Sequence, residues 1–290
     1  MPASVREYNP RPMGEFLLRL GRSVARVFLT PACVAQAQAV AFNMFVAFFP
    51  SLLFILGLLS SSSLLLGAGR ELPRTVHYFL PAGVGKGVVN YLTPRDFHPV
   101  RWMLLGLGGM GIAGSQAMAR LTEGVRMIDG TAEPTGFFLR QYCAMFLLAI
   151  TIVPWLTVVI FSVFGHDLLQ QLIYLFGHGQ QFRWTGAASF VTYSMALGFG
   201  VLLVLYRESL LRRPFWKSLM PGALVATVLW WIVDALLGVY FRHVPYKVVY
   251  GELAAGIGFI VWMYLTAIIV FIGAAYNREI VLREGTVIHN

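Results

Sequence analysis

The most constraining feature of this sequence is a series of apolar stretches, each long enough to cross a lipid bilayer. A helix rises 1.5 Å per residue, so about 20 residues are needed to cross roughly 30 Å of hydrocarbon. Backbone polar groups in lipid must be paired within the segment, which predicts helices and not strands. Six such segments occur, at residues 36–66, 102–119, 141–164, 185–206, 219–241 and 252–275. The sequence therefore predicts an all-α, polytopic membrane protein with six transmembrane helices.

Composition supports this class and excludes others. Of the 290 residues, 58% are hydrophobic and 12% are charged, whereas about 25% are charged in a typical soluble domain. A disordered chain, a collagen-like fibre and a disulfide scaffold each need a compositional bias that is missing here. The two cysteines, Cys33 and Cys143, cannot form a zinc site alone.

The distribution of basic residues predicts the orientation of the helices. The chain has 22 Lys and Arg against 13 Asp and Glu, and its bases lie between the apolar segments. That distribution is typical of membrane topology and not of nucleic-acid binding. With the amino terminus inside, 14 bases fall in inner segments and 8 in outer ones, so both termini are predicted to be cytoplasmic.

Two further segments are amphipathic and too interrupted to span. Residues 15–28 place apolar side chains on one side and three arginines on the other, which predicts a cytoplasmic helix lying among lipid headgroups. Residues 70–93 mix Pro and Gly with apolar residues, which predicts an outer loop resting on the bilayer, with a solvated loop as the alternative. The predicted organisation is a cytoplasmic tail (1–32), a transmembrane domain (33–277) and a second tail (278–290), with membrane lipids as partners.

The segment GLGGMG matches the G-x-G-x-x-G pattern of dinucleotide-binding folds, with glycines at Gly106, Gly108 and Gly111 and an acid at Asp129. The apolar run continues through these glycines, however, and the remaining chain does not alternate short strands with amphipathic helices. Small residues three and four apart also allow helix backbones to approach closely. Helix packing is therefore the preferred interpretation, and no cofactor is predicted.

No motif in the sequence indicates catalysis. The six histidines form no H-x-x-x-H or H-E-x-x-H pattern, and neither G-x-S-x-G nor a P-loop occurs. The close acid and imidazole pairs, Asp96 with His98 and His166 with Asp167, fall in predicted outer loops. We therefore predict no catalytic residues, no metal site and no enzymatic activity.

Polar residues at membrane depth are the main candidates for function. A charge at the centre of a membrane helix costs roughly 2.5–3.5 kcal/mol on insertion scales, so such residues need a partner or a water-filled cavity. Asp234, within LWWIVDALLG, is the clearest case. The candidates for a polar path are Asn43, Gln116, Arg120, Glu123, Asp234 and Glu252. Hydrogen bonding between helices that fixes their packing is an equally weighted alternative.

Several motifs resemble the YihY/BrkB family of bacterial inner-membrane proteins. They are the Phe-Pro that ends the aromatic run of the first span, the Pro-Gly of MPGALV, the Tyr-Gly of VVYGEL, the Trp-x-Tyr of the last helix and the Gly-Ala before an Asn. The residues concerned are Pro50, Pro221, Gly222, Tyr250, Gly251, Trp262, Tyr264, Gly273, Ala274 and Asn277. The resemblance covers residues 30–284 and implies a six-helix protein of the bacterial inner membrane. It also implies an old ribonuclease label and names linked to virulence, with no settled activity.

Three hypotheses for function follow. The first is a non-enzymatic membrane protein that moves or exports an amphiphile or a small solute, or supports envelope integrity. The second is a membrane scaffold without transport. The third is the ribonuclease of the old label, which needs clustered carboxylates and a basic groove, whereas the acids here are scattered. No nucleic-acid partner is expected.

Overall fold

The computed structural model describes residues 12–61, 99–131, 136, 138–154, 181–243 and 253–288. Every regular element in these residues is an α-helix. The helices are α1 (Pro12–Leu29), α2 (Pro31–Ser61), α3 (Pro99–Asp129), α4 (Phe138–Pro154), α5 (Gln181–Ser209), α6 (Trp216–His243) and α7 (Leu253–Ile288). The predicted all-α class holds for this part of the chain.

Local sequence determines several helix ends. α2 and α3 begin at Pro31 and Pro99, where a proline fits because the first helical N–H has no intrahelical partner. α3 ends in a Schellman turn at Gly130, whose φ is +76°. The Gly130 N–H bonds the Met127 carbonyl at 3.2 Å, and the Thr131 N–H bonds the Arg126 carbonyl at 3.1 Å.

Three helices contain segments long and apolar enough to cross a membrane: Pro31–Ile55, Trp216–Phe241 and Gly256–Leu282. α4 is a shorter apolar helix, and its last described residue, Pro154, falls inside the predicted third span. α3 and α5 contain the predicted second and fourth spans. The described residues therefore give a helical membrane protein, while the count of six crossings remains a prediction.

α7 is the central helix of the bundle. It contacts α1, α2, α3 and α6, and 56% of its apolar segment is buried, against 11% in α2 and 17% in α6. α2 and α6 instead present large apolar side chains on the outside of the bundle, among them Phe42 and Leu224. A soluble protein rarely exposes so much apolar surface, whereas lipid covers it at no cost.

α2 and α3 form an antiparallel pair with the most extensive interface in the described structure. Gly57 of α2 lies against Met103, and Gly106 of α3 lies against the Pro50 carbonyl and the Phe54 backbone. A Cβ at Gly109 would lie 2.9 Å from the Pro50 ring. α3 begins seven residues before Gly106, so these glycines lie inside the helix and not at its amino terminus, where a phosphate would bind. Gly106 and Gly109 of GLGGMG therefore pack against α2, as the preferred interpretation predicts.

A second set of small residues at this spacing on α3, Gly108, Gly111, Ser115 and Ala119, is packed only in part. A Cβ at Gly108 or Gly111 would meet open space. Further along, the Gln141 amide of α4 donates to the Ser115 hydroxyl at 2.8 Å, and Leu148 of α4 fills the space beside Gly114. This part of α3 therefore packs against α4.

The predicted amphipathic segment is helical, as α1. Ser23 and Val27 on its inner side are fully buried, and the Arg26 guanidinium forms an ion pair with Glu279 of α7 at 2.6 Å. Phe16 of α1 also lies against the Tyr276 ring. α1 is therefore attached to the carboxyl-terminal part of α7, and its location among lipid headgroups remains a prediction.

Some predictions fall outside the described residues. These are the outer loop at 70–93, the pairs Asp96 with His98 and His166 with Asp167, and the residues Tyr250, Gly251 and Glu252. The predicted carboxyl-terminal tail is partly described, because α7 continues to Ile288.

The α2 and α3 interface gives a matched pair of substitutions. Gly106→Ala places a methyl group against the α2 backbone, so we expect the free energy of unfolding to fall by about 1–3 kcal/mol, as in other overpacked sites. Gly108→Ala has open space and replaces a poor helix former, so stability should hold or rise by up to about 1 kcal/mol. Thermal unfolding in detergent measures both. Equal loss in the two variants, or micromolar binding of NAD, would contradict the packing account.

Candidate functional site

α6 and α7 approach most closely at a pair of glycines, Gly222 and Gly273. A Cβ on Gly222 would meet the Gly273 carbonyl, and a Cβ on Gly273 would lie 2.7 Å from the Gly222 carbonyl. Asn277, one turn further along α7, accepts a hydrogen bond from the Gly222 N–H at 2.7 Å and donates to the Leu219 carbonyl at 3.2 Å. All these atoms are buried, so one amide side chain satisfies backbone groups of α6 around Pro221, which itself has no N–H.

α5 joins the same junction through Tyr206. Its side chain is 1% exposed, and its hydroxyl donates to the Val270 carbonyl of α7 at 2.8 Å. The same hydroxyl fills the space that a Cβ on Gly273 would need. Five family-motif residues, Pro221, Gly222, Gly273, Ala274 and Asn277, therefore meet near one buried tyrosine. We call this set the α6–α7 junction.

α3 reaches this end of the bundle through Arg126. This arginine is 6% exposed, and its Nε donates to the carbonyl of Ser209, the last residue of α5, at 2.6 Å. A cation at a helix carboxyl terminus satisfies an otherwise unpaired carbonyl and interacts favourably with the helix dipole. The ends of α3 and α5, the first part of α6 and the middle of α7 are thus brought together by side chains that bond to the backbone of another helix.

Asp234 lies at a second point on the α6–α7 pair. It is exposed at the protein surface, and its Oδ1 accepts a hydrogen bond from the Trp262 Nε1 of α7 at 2.7 Å. The Phe259 ring is stacked on Trp262 with centroids 5.8 Å apart, and Phe45 and Phe48 of α2 contact Phe259. A carboxylate on an apolar helix therefore adjoins a row of aromatic rings, a surface that can contact both a polar group and hydrocarbon.

Arg120 and Glu123 form a third group. The guanidinium and carboxylate are 3.4 Å apart, and the Gln36 amide of α2 donates to the Arg120 carbonyl at 2.9 Å and to Glu123 at 3.2 Å. All three side chains are partly or largely exposed. Gln36 lies 9–12 residues before Phe45 and Phe48, which is about 14–18 Å along α2. This group is therefore well separated from Asp234.

The remaining predicted path residues are Asn43, Gln116 and Glu252. The Asn43 amide donates to the Ala39 carbonyl of its own helix at 2.8 Å, and Gln116 is half-buried on α3. Glu252 lies outside the described residues. Of the six candidates, Arg120 and Glu123 pair with each other. The hydrogen-bond partner of Asp234 is Trp262, which is one of the family-motif residues. Tyr264, another motif residue, packs against the buried core.

Sequence reasoning missed the residues that bond to neighbouring helices: Arg126, Tyr206, Gln36 and Gln141. Each partner lies 26 to 87 residues away in the chain, so no local spacing identifies it. The one available signal was their chemistry, since a polar side chain beside a membrane span needs a partner. Within the described residues, no group of three His, Cys, Asp or Glu side chains is placed to hold a metal ion.

Comparison with known proteins gives one family. The profile of the family described as "Virulence factor BrkB" matches residues 24–287. A Coxiella burnetii protein named "UPF0761 membrane protein" is 25% identical over 266 residues, covering 89% of this chain and 91% of its own length. A protein of the same name from Aromatoleum aromaticum is 24% identical, covering 87% of this chain and 61% of that protein.

A third relative carries a different name. The Bacillus subtilis "Putative ribonuclease-like protein YfkH" is 22% identical over 246 residues, covering 84% of this chain and 88% of its own length. No solved structure is significantly similar to this chain.

The α6–α7 junction gives a test of what Asn277 contributes. Asn277→Ala leaves the Gly222 N–H and the Leu219 carbonyl without their side-chain partner, and an unsatisfied buried group costs about 1–3 kcal/mol. We expect the midpoint of thermal unfolding in detergent to fall clearly. Asn43→Ala is the control, because the Asn43 amide donates within its own helix. An equal shift in both variants would contradict a joining role for Asn277.

Proposed function

This chain belongs to the virulence factor BrkB family of bacterial membrane proteins, and we propose that it moves or exports an amphiphile or a small solute across the inner membrane. The proposal concerns a non-enzymatic protein whose partners are membrane lipids and an amphiphilic or small-molecule substrate.

The observation that carries this proposal is the pair formed by Asp234 and Trp262. Asp234 lies within an apolar helix segment, Trp216–Phe241, yet its carboxylate is exposed at the protein surface. A structural carboxylate is expected to be enclosed between helices, because exposure to hydrocarbon is costly. Beside it, the Trp262 and Phe259 rings offer flat apolar surface. A ligand with a polar group and an apolar body matches this combination.

Orientation is part of the proposal, with both termini in the cytoplasm. Arg126, Arg207, Arg212 and Arg278 all lie at the end of the bundle where α3 and α5 finish and α6 begins, which supports a common side for these bases. In this orientation Asp234 is nearer the outer side, and the Arg120–Glu123 pair is nearer the cytoplasm. The six-span arrangement belongs to the same proposal.

Two alternatives remain to be tested against it. A scaffold without transport would need the junction and α1 but not Asp234. The ribonuclease-like name of the Bacillus relative suggests an enzyme, which would cleave RNA in a manner dependent on Mg²⁺. Incubation of the purified protein with RNA, with and without Mg²⁺, separates the enzyme from the other two classes.

The first functional prediction concerns Asp234. Asp234→Leu removes a carboxylate without leaving a partner charge unpaired, so the protein should remain inserted and equally or more stable. Under the transport proposal, Asp234→Leu and Asp234→Asn should both fail to complement the phenotype of a deletion strain. Thermal unfolding in detergent, measured beside complementation, checks that lost function is not lost folding.

A matched pair of tryptophans provides the control. Trp262→Phe keeps a ring but removes the N–H that bonds Asp234, and it should impair complementation. Trp230→Phe should not, because among the described residues the Trp230 Nε1 is buried without a hydrogen-bond partner. Full complementation by both Asp234 variants would remove Asp234 from the proposed path and favour a scaffold.

The second functional prediction concerns orientation. In a background with Cys33→Ala and Cys143→Ala, single cysteines replace Lys217 and His243, exposed residues near the two ends of α6. In intact cells whose outer membrane has been made permeable, a membrane-impermeant thiol reagent should label the cysteine at position 243. It should label the one at position 217 only after the inner membrane is opened, and the reverse result would invert the orientation.

A further inference from the structure

A cavity of about 320 Å³ lies where the end of α3, the end of α5 and the start of α6 pack against α7. Its apolar lining includes Val125, Leu210 and Leu219, and Tyr206, Ala274 and Asn277 of the α6–α7 junction also line it. Its polar lining includes Asp129, Thr131, Arg212 and Arg278. This cavity is separate from Asp234, which lies 12 residues, or about 18 Å, further along α6 than Gly222.

The Arg278 guanidinium lies against the Schellman turn of α3. Its Nη1 lies 2.7 Å from where a Cβ on Gly130 would be, so a side chain there would displace the guanidinium. The positive φ of Gly130 independently disfavours any other residue. The turn therefore makes room for an arginine that does not pair with α3.

Two donors in the cavity wall are buried without a hydrogen-bond partner in the described part of the chain: the Nε of Arg278 and the hydroxyl of Thr131. Two other polar residues of the lining already have partners, because Asn277 bonds to α6 and the Ser218 hydroxyl bonds to the Phe215 carbonyl at 2.7 Å. An unsatisfied buried donor is costly, so an acceptor in the cavity would relieve both.

We propose that this cavity binds a phosphate group, and specifically the phosphodiester of a phospholipid headgroup. Arg278 and Arg212 supply two guanidinium groups, and Thr131 supplies a hydroxyl donor. Guanidinium binds phosphate oxygens with charge-assisted and often bidentate hydrogen bonds. Asp129 brings one negative charge to the same lining, which disfavours a dianion and leaves an acceptor for an ammonium group beside the phosphate.

The surroundings favour a lipid over free phosphate. Leu211, Val281 and Leu282, which line the cavity, are exposed and apolar. Nearby, Trp216 is exposed, and the Arg207 guanidinium lies over its ring at 4.2 Å. Exposed aromatic residues beside bases are typical of the headgroup level of a membrane protein. A headgroup in the cavity can therefore keep its acyl chains against apolar protein surface.

The test is lipid binding to the full-length protein in detergent, followed by native mass spectrometry and thermal unfolding. The probes are phosphatidylethanolamine, phosphatidylglycerol, glycerophosphoethanolamine and inorganic phosphate. We expect tightest binding of phosphatidylethanolamine, because Asp129 can accept its ammonium group. Arg278→Gln, Arg212→Gln and Thr131→Val should each weaken that binding, the arginine variants by roughly tenfold or more, as for loss of a bond to a charged group.

Arg213→Gln is the matched control, since Arg213 adjoins Arg212, pairs with Glu208 at 3.0 Å and does not line the cavity. The Arg213→Gln protein should bind phosphatidylethanolamine as tightly as the unaltered protein does. If Arg278→Gln does not fold, Arg212→Gln carries the test, because Arg212 is exposed. Asp234→Leu should bind lipid normally, so failure of the transport proposal leaves this result intact.

The outcomes separate the sources of phosphate. Binding of inorganic phosphate or glycerophosphoethanolamine that is as tight as lipid binding, and that is lost in Arg278→Gln, would support the phosphate site and overturn the lipid as its occupant. Lipid binding that is unchanged in Arg212→Gln, Arg278→Gln and Thr131→Val would overturn the site itself. If Arg213→Gln weakens lipid binding as much as Arg212→Gln and Arg278→Gln do, the site is also overturned.

Discussion

Hydrogen bonds from buried side chains to the backbone of another helix are the interactions on which this bundle depends. Asn277 joins α7 to α6, Tyr206 joins α5 to α7, and Arg126 joins α3 to α5. Apolar burial alone drives little association between helices in lipid, since hydrocarbon solvates leucine as well as a neighbouring helix does. Close backbone packing and these polar bonds must therefore supply the specificity. The Gly222 and Gly273 pair makes room for both.

The α6–α7 pair therefore has two regions with different properties: the junction and the surroundings of Asp234. At the junction, backbones are in contact and polar groups are buried and paired. About 18 Å further along α6, Asp234 has one tryptophan partner and is exposed beside aromatic rings. The junction fixes the position of α6 against α7, and the second region leaves the Asp234 carboxylate accessible. A binding surface that is supported by a rigid neighbouring contact loses little to reorganisation.

The sequence predicts the helices and their packing surface because both depend on local pattern. Apolar length predicted α2, α6 and α7, and the three and four spacing of small residues predicted a packing face that includes Gly106 and Gly109. Partners of polar residues depend on which helices become neighbours, and no local pattern encodes that. Asn43 and Asp234 look alike in sequence as polar residues in apolar helices. Asn43 nevertheless bonds within its own helix, whereas Asp234 bonds a tryptophan 28 residues away.

None of the family-motif residues is a candidate path residue, and the motif residues at the junction serve helix packing. Gly222 is hydrogen-bonded to Asn277 and packs against Gly273, so a change in one of these residues leaves another unpaired or overpacked. Arg278, the next residue after Asn277, instead projects to a cavity where its Nε has no partner among the described residues. Two successive residues of α7 thus have different roles, since Asn277 bonds to α6 and Arg278 lines the cavity. Because Asn277 fixes α7 against α6, it also fixes the position from which Arg278 reaches the cavity, so binding at that cavity depends on the junction more than on Asp234.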